Sequence, residues 1–391
     1  MLEPLLKYPG GKSQELRYIL PLLPRNIDNY YEPFVGAGSV YLSIDKILGG
    51  YYINDKSRDL YNLYLSIRNQ DSSFFKMLNN MDKSWQNLIF SYNNMINDLI
   101  SIFDELIKND VSIDECKKEL SKYVIKNSDV FIKLISYCNY CIEVYIKDLT
   151  KSLTRKINFL KKKYSKSIGI CHQDKYQIIE TAIRSSIYTY NRYLYNNGDK
   201  FYFTIGEKAA LYLNVREYCY SSMFRYNKEH KFNVPYGGMS YNDKFLKNRI
   251  KYYKNNYLIK KLSKTKISCN DFYNFMNNHY LNENDFVFLD PPYDTEFSTY
   301  DQNTFDKKDQ IRLSNYLIYE CKAKWMMIIK NTNFISSLYP KGEYTANNDK
   351  IYVSSFDKLY RASFMNRNNR ITKHLVITNY PTIDINNVSL F

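Results

Sequence analysis

The sequence lacks any long apolar run, and this absence limits what the chain can be. No stretch of its 391 residues approaches the roughly 20 consecutive apolar residues that a membrane-spanning helix needs. The first residues, Met1-Leu2-Glu3-Pro4, have neither the basic start nor the apolar core of a secretion signal. We therefore expect no membrane partner and an intracellular, cytoplasmic protein.

The cysteines show no pairing pattern. They are seven in number and scattered, and only Cys138 and Cys141 form a CxxC, without a second CxxC or a neighbouring His. Reduced thiols on helices are a better account of this pair than a zinc or redox site. We expect no metal.

What the chain does have is positive charge. Its 55 basic and 40 acidic residues give a formal charge of +15, which favours polyanionic partners because neutralising phosphates releases counterions. Between Arg225 and Lys266 there are twelve Lys or Arg residues and two acids, and residues 151–166 hold seven basic residues and no acid. A solvated helix face is the preferred explanation of the second run, and contact with a nucleic-acid backbone is the alternative.

The pattern along the chain predicts an α/β domain that an insertion interrupts. Residues 5–68 alternate strand-like runs with Gly-containing turns and helical segments. Strand patterns return at Thr265–Phe275 and continue to His374–Asn379. Between them, residues 72–197 contain almost no Gly or Pro and space their apolar residues as helices do. We expect one domain from residues 1–71 and 265–391, and a largely helical insertion over 72–264.

A glycine-containing loop follows the first predicted strand. Glu32-Pro33-Phe34-Val35-Gly36-Ala37-Gly38-Ser39 precedes a predicted helix over Val40–Leu48, and Asp55 ends the second strand nineteen positions after Gly36. Glycines at such a turn allow close approach of a ligand, and an acid about 20 residues on is placed for ribose hydroxyls. Because the third Gly is missing and Glu32 would repel pyrophosphate, S-adenosylmethionine fits better than a dinucleotide.

Asp290-Pro291-Pro292-Tyr293 ends the buried strand pattern of Asp285–Asp290. Ligands of open α/β sheets bind beyond such strand ends. A carboxylate and a proline carbonyl there can accept the two N–H groups of an exocyclic amine, which aims its lone pair at a methyl donor, and Tyr293 offers a face for a base taken out of a helix. The tetrapeptide therefore predicts methylation of a base amine.

With these motifs the chain resembles the Dam-like DNA adenine N6-methyltransferases, the alpha group of amino-methyltransferases. Lys7-Tyr8-Pro9-Gly10-Gly11-Lys12 is similar to the family's KxxGGK element, and Glu32–Val40 to its EPFxGxGSV loop. Asn54-Asp55, Asn270-Asp271-Phe272 and Asp290–Tyr293 follow in the family's order. The resemblance implies a Rossmann-like methyltransferase fold with a mixed, mostly parallel sheet, plus a largely helical target-recognition region. It further implies S-adenosylmethionine as cofactor and duplex DNA as partner, allows a cognate restriction endonuclease, and places the protein at the nucleoid if the host is bacterial.

The resemblance also assigns residues. The catalytic set is Asp290, Pro291, Pro292 and Tyr293. The cofactor set is Tyr8, Pro9, Gly10, Gly11, Lys12, Glu32, Pro33, Phe34, Gly36, Ala37, Gly38, Ser39, Asp55, Asp271, Phe272 and Asp290. The DNA set is Lys7, Tyr220, Met223, Arg225, Asn227, Asn233, Pro235, Tyr236 and Tyr300, with Arg225 expected to read a guanine or to clamp a phosphate. Phe297 and Phe305 are further candidates for walling the flipped base, and Lys358, Arg361, Arg367 and Arg370 for phosphate contact.

Two departures and three alternatives remain. The helical segment is longer than in compact family members, and Ser221-Ser222 stands where the best-known members have Asn-Gly, which leaves the target open, GATC included. The alternatives are methylation of adenine in RNA, a non-catalytic DNA-binding module, and a dinucleotide-dependent oxidoreductase, which would need the missing third Gly.

Overall fold

The strands of the computed structural model, which describes residues 1–45, 47–164, 170–293, 305–359 and 371–383, form one sheet. Its order is β3-β2-β1-β4-β5-β7-β6, where the first five run parallel and the last two antiparallel to their neighbours. This arrangement confirms the mixed, mostly parallel sheet. The strands are β1 (Tyr30–Glu32), β2 (Tyr51–Asn54), β3 (Thr265–Ser268), β4 (Phe286–Leu289), β5 (Lys324–Lys330), β6 (Tyr352–Leu359) and β7 (Ile371–Thr378).

Helices account for most of the remaining described residues. In chain order they are α1 (Leu16–Ile19), α2 (Arg58–Arg68), α3 (Ser72–Ser91), α4 (Asn93–Lys108), α5 (Ile113–Lys126), α6 (Ser128–Ile132), α7 (Ile142–Tyr164), α8 (His172–Asn196), α9 (Ile205–Tyr218), α10 (Lys247–Tyr253), α11 (Asn256–Ser263), α12 (Phe272–Asn277), α13 (Lys307–Asn315) and α14 (Asn333–Leu338). No helix in the described ranges is both long enough and apolar enough to cross a membrane.

The chain divides into two units. The sheet unit comprises residues 1–68 and 256–391, and the helical unit comprises residues 69–255. Helix α11, which the sequence pattern grouped with the insertion, packs against α2 and belongs to the sheet unit. All seven strands therefore lie in one unit, although the chain leaves it after α2 and returns only at α11.

The sheet unit is built on strands with no exposed face at the centre. Every residue of β4 is fully buried, as expected of a parallel strand that helices cover on both sides. One side packs a cluster that includes Trp325, Leu313 and Phe275. A rigid strand end at β4 is what positions the residues that follow it.

The helix predicted over Val40–Leu48 is wrong. The described residues of this span form one 3₁₀ turn, at Tyr41–Ser43, and Ile44 is already extended. The Ile44 carbonyl accepts hydrogen bonds from the Tyr51 hydroxyl and the Lys261 ammonium, which take the place of a helical N–H donor. These partners come from later in the chain, so the apolar spacing of the segment could not show them.

The helical unit also contains breaks that the apolar spacing did not show. Leu88–Leu106 spaces its apolar residues as one helix does, but it spans the junction of α3 and α4, where Tyr92 leaves helical geometry. Asp129–Phe159 has the same spacing and is broken between α6 and α7, where Cys141 adopts a positive φ of 51° just before α7. The helical character of the insertion is as predicted, with breaks at these two junctions.

Candidate active site

A cavity opens at the carboxyl ends of the parallel strands, where the chain connections leave β1 and β4 in opposite directions along the sheet. This switch point is where open α/β sheets bind ligands. The residues that line the cavity come from four strand ends and the N-terminal segment. They are Tyr8–Lys12, Glu32–Ala37, Ser39, Val40, Asp55, Lys56, Asn270–Phe272, Phe288, Asp290–Tyr293, Phe305 and Asp309.

Fifteen of the sixteen residues assigned to the cofactor line this cavity, and the exception is Gly38. Gly38 has a φ of +81°, and a Cβ on it would lie 2.6 Å from the Tyr64 hydroxyl oxygen. That hydroxyl in turn donates to the Gly36 carbonyl. Gly38 therefore shapes the loop from behind, and the sequence motif alone did not separate this role from direct lining.

Asp55 ties the loop to the end of β2. Its two carboxylate oxygens accept the backbone N–H groups of Gly36 and Ser57, each at 2.9 Å. A carboxylate oxygen has two lone pairs, so each can accept a further hydrogen bond from a ligand hydroxyl. Asp55 thus fixes the backbone of the glycine loop and is also a half-exposed acceptor that lines the cavity.

An aromatic wall forms one side of the cavity. The rings of Phe34, Phe272 and Phe305 lie 5.5–5.8 Å apart, centre to centre. Arg312 closes the outside of this wall, because its guanidinium lies 5.0 Å from the Phe272 ring and pairs with Asp271 at 2.6 Å. Asp271 also caps α12 by accepting the Tyr273 N–H. Phe305, which the sequence offered as a wall for the flipped base, packs against the two cofactor-assigned phenylalanines.

Glu32 lies at the floor of the cavity and is almost completely buried. The Tyr30 hydroxyl donates to it at 2.6 Å. Burial is the main cause that raises the pKa of Glu32 to about 8, and the charge of Asp290 adds to it, whereas the Tyr30 hydrogen bond and Lys261 act in the opposite direction. A cation in the cavity would favour the carboxylate form of Glu32.

Asp290 follows β4 and is held by Lys12. The Lys12 ammonium lies 2.5 Å from Oδ1 of Asp290 and donates to the Gly10 carbonyl at 2.9 Å. It also lies 5.8 Å from the centre of the Tyr293 ring. Sequence reasoning placed Lys12 on the cofactor side and missed this ion pair, because a motif does not show which partner a lysine meets.

The Pro-Pro step that follows is fixed from α13. Gln310 is fully buried and its side-chain amide donates to the Pro292 carbonyl at 2.8 Å. The Tyr293 ring meets His374 of β7 edge-on at 5.5 Å. These two contacts thus fix the backbone of Asp290–Tyr293 after the end of β4 and the position of the Tyr293 ring. Tyr300 and Phe297, the other aromatic candidates after it, lie outside the described residues, as do Arg361, Arg367 and Arg370.

The donor chemistry of the cavity fits S-adenosylmethionine. Three carboxyl groups, Glu32, Asp55 and Asp290, face a ligand that carries two positive charges and a ribose diol, and the aromatic wall offers a face for adenine. The same three acids would repel a pyrophosphate. Among the described residues, no three His, Cys, Asp or Glu side chains lie together as metal ligands, Cys138 and Cys141 included.

The predicted DNA-reading residues of the helical unit form a hairpin from Cys219 to Tyr236. Bridges pair Cys219 with Tyr236 and Tyr226 with Phe232. Asn227 holds the tip, because its side-chain oxygen accepts the N–H groups of Glu229 and Lys231. Arg225 is exposed, and its Nε and one terminal nitrogen donate to the side chain and backbone of Asn233.

The remaining members of the DNA set differ in exposure. Tyr220 and Pro235 are exposed, Met223 is half-buried, and Lys7 is exposed in the sheet unit. Tyr236 does not fit its assignment: it is buried, packs against Trp85 and donates its hydroxyl to Asn242. The alternation along the hairpin strand turns Tyr236 inward, so it supports the hairpin and does not face outward.

Arg216, which the sequence did not single out, anchors the start of this hairpin. It is buried on α9 and donates to the carbonyls of Ser222 and Met223, and its guanidinium lies 3.5 Å from the centre of the Phe224 ring. Ser221 and Ser222 both adopt positive φ values near 50°. A buried arginine therefore holds a strained turn at Ser221-Ser222, the second of the two departures named above.

Comparisons with known proteins agree with this arrangement. Residues 8–354 match the model of the D12 class N6 adenine-specific DNA methyltransferases. The chain is 31% identical over 219 residues to Type II methyltransferase M.CviBI of Paramecium bursaria Chlorella virus NC1A, covering 52% of this chain and 76% of that protein. It is 24% identical over 357 residues to Type II methyltransferase M.MjaIII of Methanocaldococcus jannaschii, covering 86% and 88%. A shorter match, 32% over 134 residues, joins it to the Retron Ec67 DNA adenine methylase of Escherichia coli, covering 34% and 44%. The chain belongs to the D12 class of N6 adenine-specific DNA methyltransferases.

Proposed function

We propose that this chain transfers the methyl group of S-adenosylmethionine to N6 of a specific adenine, which is taken out of duplex DNA into the cavity at the end of β4. The observation that carries the proposal is the meeting of Asp290–Tyr293 with an acid-lined, aromatic-walled cavity at the switch point of the sheet. When bound there, S-adenosylmethionine supplies an electrophilic methyl group on a cationic sulfur.

The cofactor's parts correspond to different residues of the cavity. Glu32 and the glycine loop suit the amino-acid end, and Asp55 suits the ribose hydroxyls. Phe34, Phe272 and Phe305 offer the apolar faces that an adenine ring needs. Because these residues come from separate strand ends, the intact sheet is what holds them together.

Asp290 and the Pro-Pro step orient the amine that is methylated. Lys12 engages Oδ1 of Asp290, so we assign Oδ2 to one amine N–H. Gln310 engages the Pro292 carbonyl, so we assign the Pro291 carbonyl to the other. With both N–H groups held, the nitrogen lone pair is drawn out of conjugation with the ring and becomes a usable nucleophile. The carboxylate then accepts the proton that the nitrogen gives up.

Tyr293 supplies the stacking face for the extruded base. The His374 ring meets the Tyr293 ring nearly at a right angle and the Lys12 ammonium lies over that ring, and these two contacts restrict its rotation. Stacking a base on an aromatic ring contributes about 1–3 kcal/mol, which offsets part of the cost of unstacking it from the duplex. Two relatives bear the name Type II methyltransferase, which supports a cognate restriction endonuclease as a partner.

The proposal is tested by methyl transfer from labelled S-adenosylmethionine to unmethylated duplex DNA, with single-stranded DNA and RNA of the same sequence as competitors. Modified positions are mapped by single-molecule sequencing of DNA from a methylation-free strain that expresses the chain. We expect label in duplex DNA only, at N6 of adenine in one sequence context. Transfer to RNA in preference to DNA, or no transfer to any of them, would contradict the proposal.

For Arg225→Ala we expect weaker discrimination between target and near-target sites. Asn233 occupies two of the five N–H donors of Arg225 and leaves three, two on one terminal nitrogen and one on the other, at the end of the fork that matches guanine O6 and N7. Loss of such a contact costs about 1–3 kcal/mol of discrimination. The measurement is kcat/KM on duplexes that differ by one base pair.

Lys228→Ala is the matched control, because Lys228 is exposed at the tip of the same hairpin. We expect this variant to weaken binding evenly across sequences, as a phosphate contact does. If Arg225→Ala gives the same even loss, Arg225 clamps a phosphate and does not read a base.

A further inference from the structure

Asp290 belongs to a group of charged side chains of which the reaction as described gives no role to Glu15 and Lys358. Lys12 and Glu15, from the N-terminal segment, are 2% and 3% exposed. Lys358 of β6 is mostly buried and pairs with Glu15. The sequence offered Lys358 as a phosphate contact, but its position in the sheet directs it toward the interior. Lys12 and Asp290, which line the cavity, thus adjoin a second lysine and a second acid, Lys358 and Glu15.

The four groups form two linked ion pairs. Lys12 pairs with Asp290 and Lys358 pairs with Glu15. Lys12 and Glu15 spring from one turn, because the Glu15 N–H donates to the Lys12 carbonyl at 2.9 Å. A buried charge is costly unless it is paired, so each of these groups depends on its partner.

The charge state of Asp290 is set by opposing influences. Burial raises its pKa, Lys12 and then Lys358 lower it, and Glu15 raises it. His374 of β7 remains neutral, because burial first and then Lys358, Lys12 and Lys330 lower its pKa to about 3. The titratable groups around Asp290 are therefore Lys12 and Glu15 from the N-terminal segment, Glu32 from β1, Lys358 from β6 and His374 from β7, with Lys330 of β5 behind His374.

We propose that Lys12 is the positioning residue that keeps Asp290 ionised and fixes its Oδ1, and that the Glu15–Lys358 pair sets how strongly it does so. The inference rests on the proposed function, in which Asp290 accepts an amine N–H as a carboxylate. A protonated Asp290 would offer a donor to an amine whose own hydrogens must be accepted. Lys12 therefore acts through Asp290.

Substituting Lys12 tests this directly. For Lys12→Met, we expect the single-turnover rate at saturating S-adenosylmethionine to fall on acidification, and to do so at a higher pH than in the unaltered protein. The acidic limb should move upward by about one pH unit or more, because the opposite charge that favours the carboxylate is gone. Lys12→Arg keeps that charge and should leave the limb near its original position. An even loss of rate at every pH would mean a packing role and would overturn the proposal.

The second pair offers a matched comparison that leaves Lys12 in place. Lys358→Met leaves Glu15 as an unopposed negative charge, so the limb should move upward, by less than in Lys12→Met. Adding Glu15→Gln removes that charge as well, and the double variant should return toward the original profile. If the single and double variants titrate alike, the Glu15–Lys358 pair has no part in setting Asp290, and that half of the proposal fails.

A readout without cofactor or DNA separates this inference from the proposed function. Infrared difference titration, with Asp290→Asn as the subtraction control, follows the Asp290 carboxyl band in the isolated protein. The midpoint should rise in Lys12→Met and Lys358→Met and recover in the double variant. If methylation is absent but the midpoints move as described, the charge network stands and the proposed reaction fails. Unmoved midpoints would overturn the network whatever the activity.

Discussion

Asp290→Ala should abolish most methyl transfer while leaving S-adenosylmethionine binding largely unchanged. Asp290 is the acceptor for one amine N–H and for the proton released, a role worth about 10²–10⁴-fold in rate. The residues that suit the cofactor, chiefly Glu32, Asp55 and Phe272, lie on other strand ends and keep their positions. Single-turnover transfer and calorimetric binding, measured on the same preparation, separate the two effects. Near-normal turnover would show that the assigned role is wrong.

The control for this variant must deal with Lys12. Removing Asp290 leaves the Lys12 ammonium buried without its carboxylate, and breaking one partner of a buried pair costs about 3–5 kcal/mol. The double variant Asp290→Ala, Lys12→Met removes both charges. We expect it to recover thermal stability relative to Asp290→Ala and to recover no activity. Activity that returns with stability would mean that the single variant was only misfolded.

Gly38→Ala should cost cofactor affinity more than any other single methyl group added to the loop. A φ of +81° costs an alanine about 1–2 kcal/mol. The added Cβ would also lie 2.6 Å from the Tyr64 hydroxyl, which supports the Gly36 carbonyl, so the loop must shift. We expect more than about a tenfold loss of affinity for S-adenosylmethionine, which corresponds to about 1.4 kcal/mol.

Gly10→Ala is the matched control for Gly38→Ala. Gly10 has a similar φ of +78°, but a Cβ on it would meet no atom within 4 Å. The Gly10→Ala variant therefore introduces similar backbone strain without a steric clash. We expect a smaller loss of affinity, and equal losses at the two positions would show that the Tyr64 contact is unimportant. Isothermal calorimetry with S-adenosylmethionine measures both.

Local patterns in the sequence predicted the elements whose formation depends on local chemistry. The apolar runs of β2 and β4 and the turn chemistry of the glycine loop are visible in a few consecutive residues each. The mixed, mostly parallel sheet is confirmed. The helix predicted after Ser39 was wrong: the Ile44 carbonyl accepts instead from Tyr51, seven residues on, and from Lys261, which is distant in sequence. Backbone propensity is outweighed by such tertiary partners.

In the candidate site, too, some features could be predicted from the sequence and others could not. The residues that the resemblance assigned to the cofactor, Gly38 excepted, line one cavity, because the motifs that contain them fall in the N-terminal segment and at strand ends that meet at one edge of the sheet. The partner of each charge could not be identified: Lys12 with Asp290, Lys358 with Glu15 and Arg216 with the Ser222 carbonyl all join residues whose spacing carries no pattern. For Tyr236, the resemblance to a recognition signature predicted contact with DNA, whereas the side chain is buried in the core.

The interrupted sheet unit has a consequence for how the chain folds. β2 and β3 are parallel neighbours, yet their pairing closes a loop of some 210 intervening residues. Within the helical unit, the Gln70 side chain donates to the Tyr253 carbonyl at 3.0 Å, so the two ends of that unit lie side by side. If the helical unit forms first, the loop that β2 and β3 must close shrinks to a few tens of residues. Each halving of a loop lowers the entropic cost of closing it by about 0.6 kcal/mol, so three halvings bring the two halves of the sheet together at about 2 kcal/mol less. An insertion whose two ends already lie side by side thus lowers the entropic cost of pairing β2 with β3.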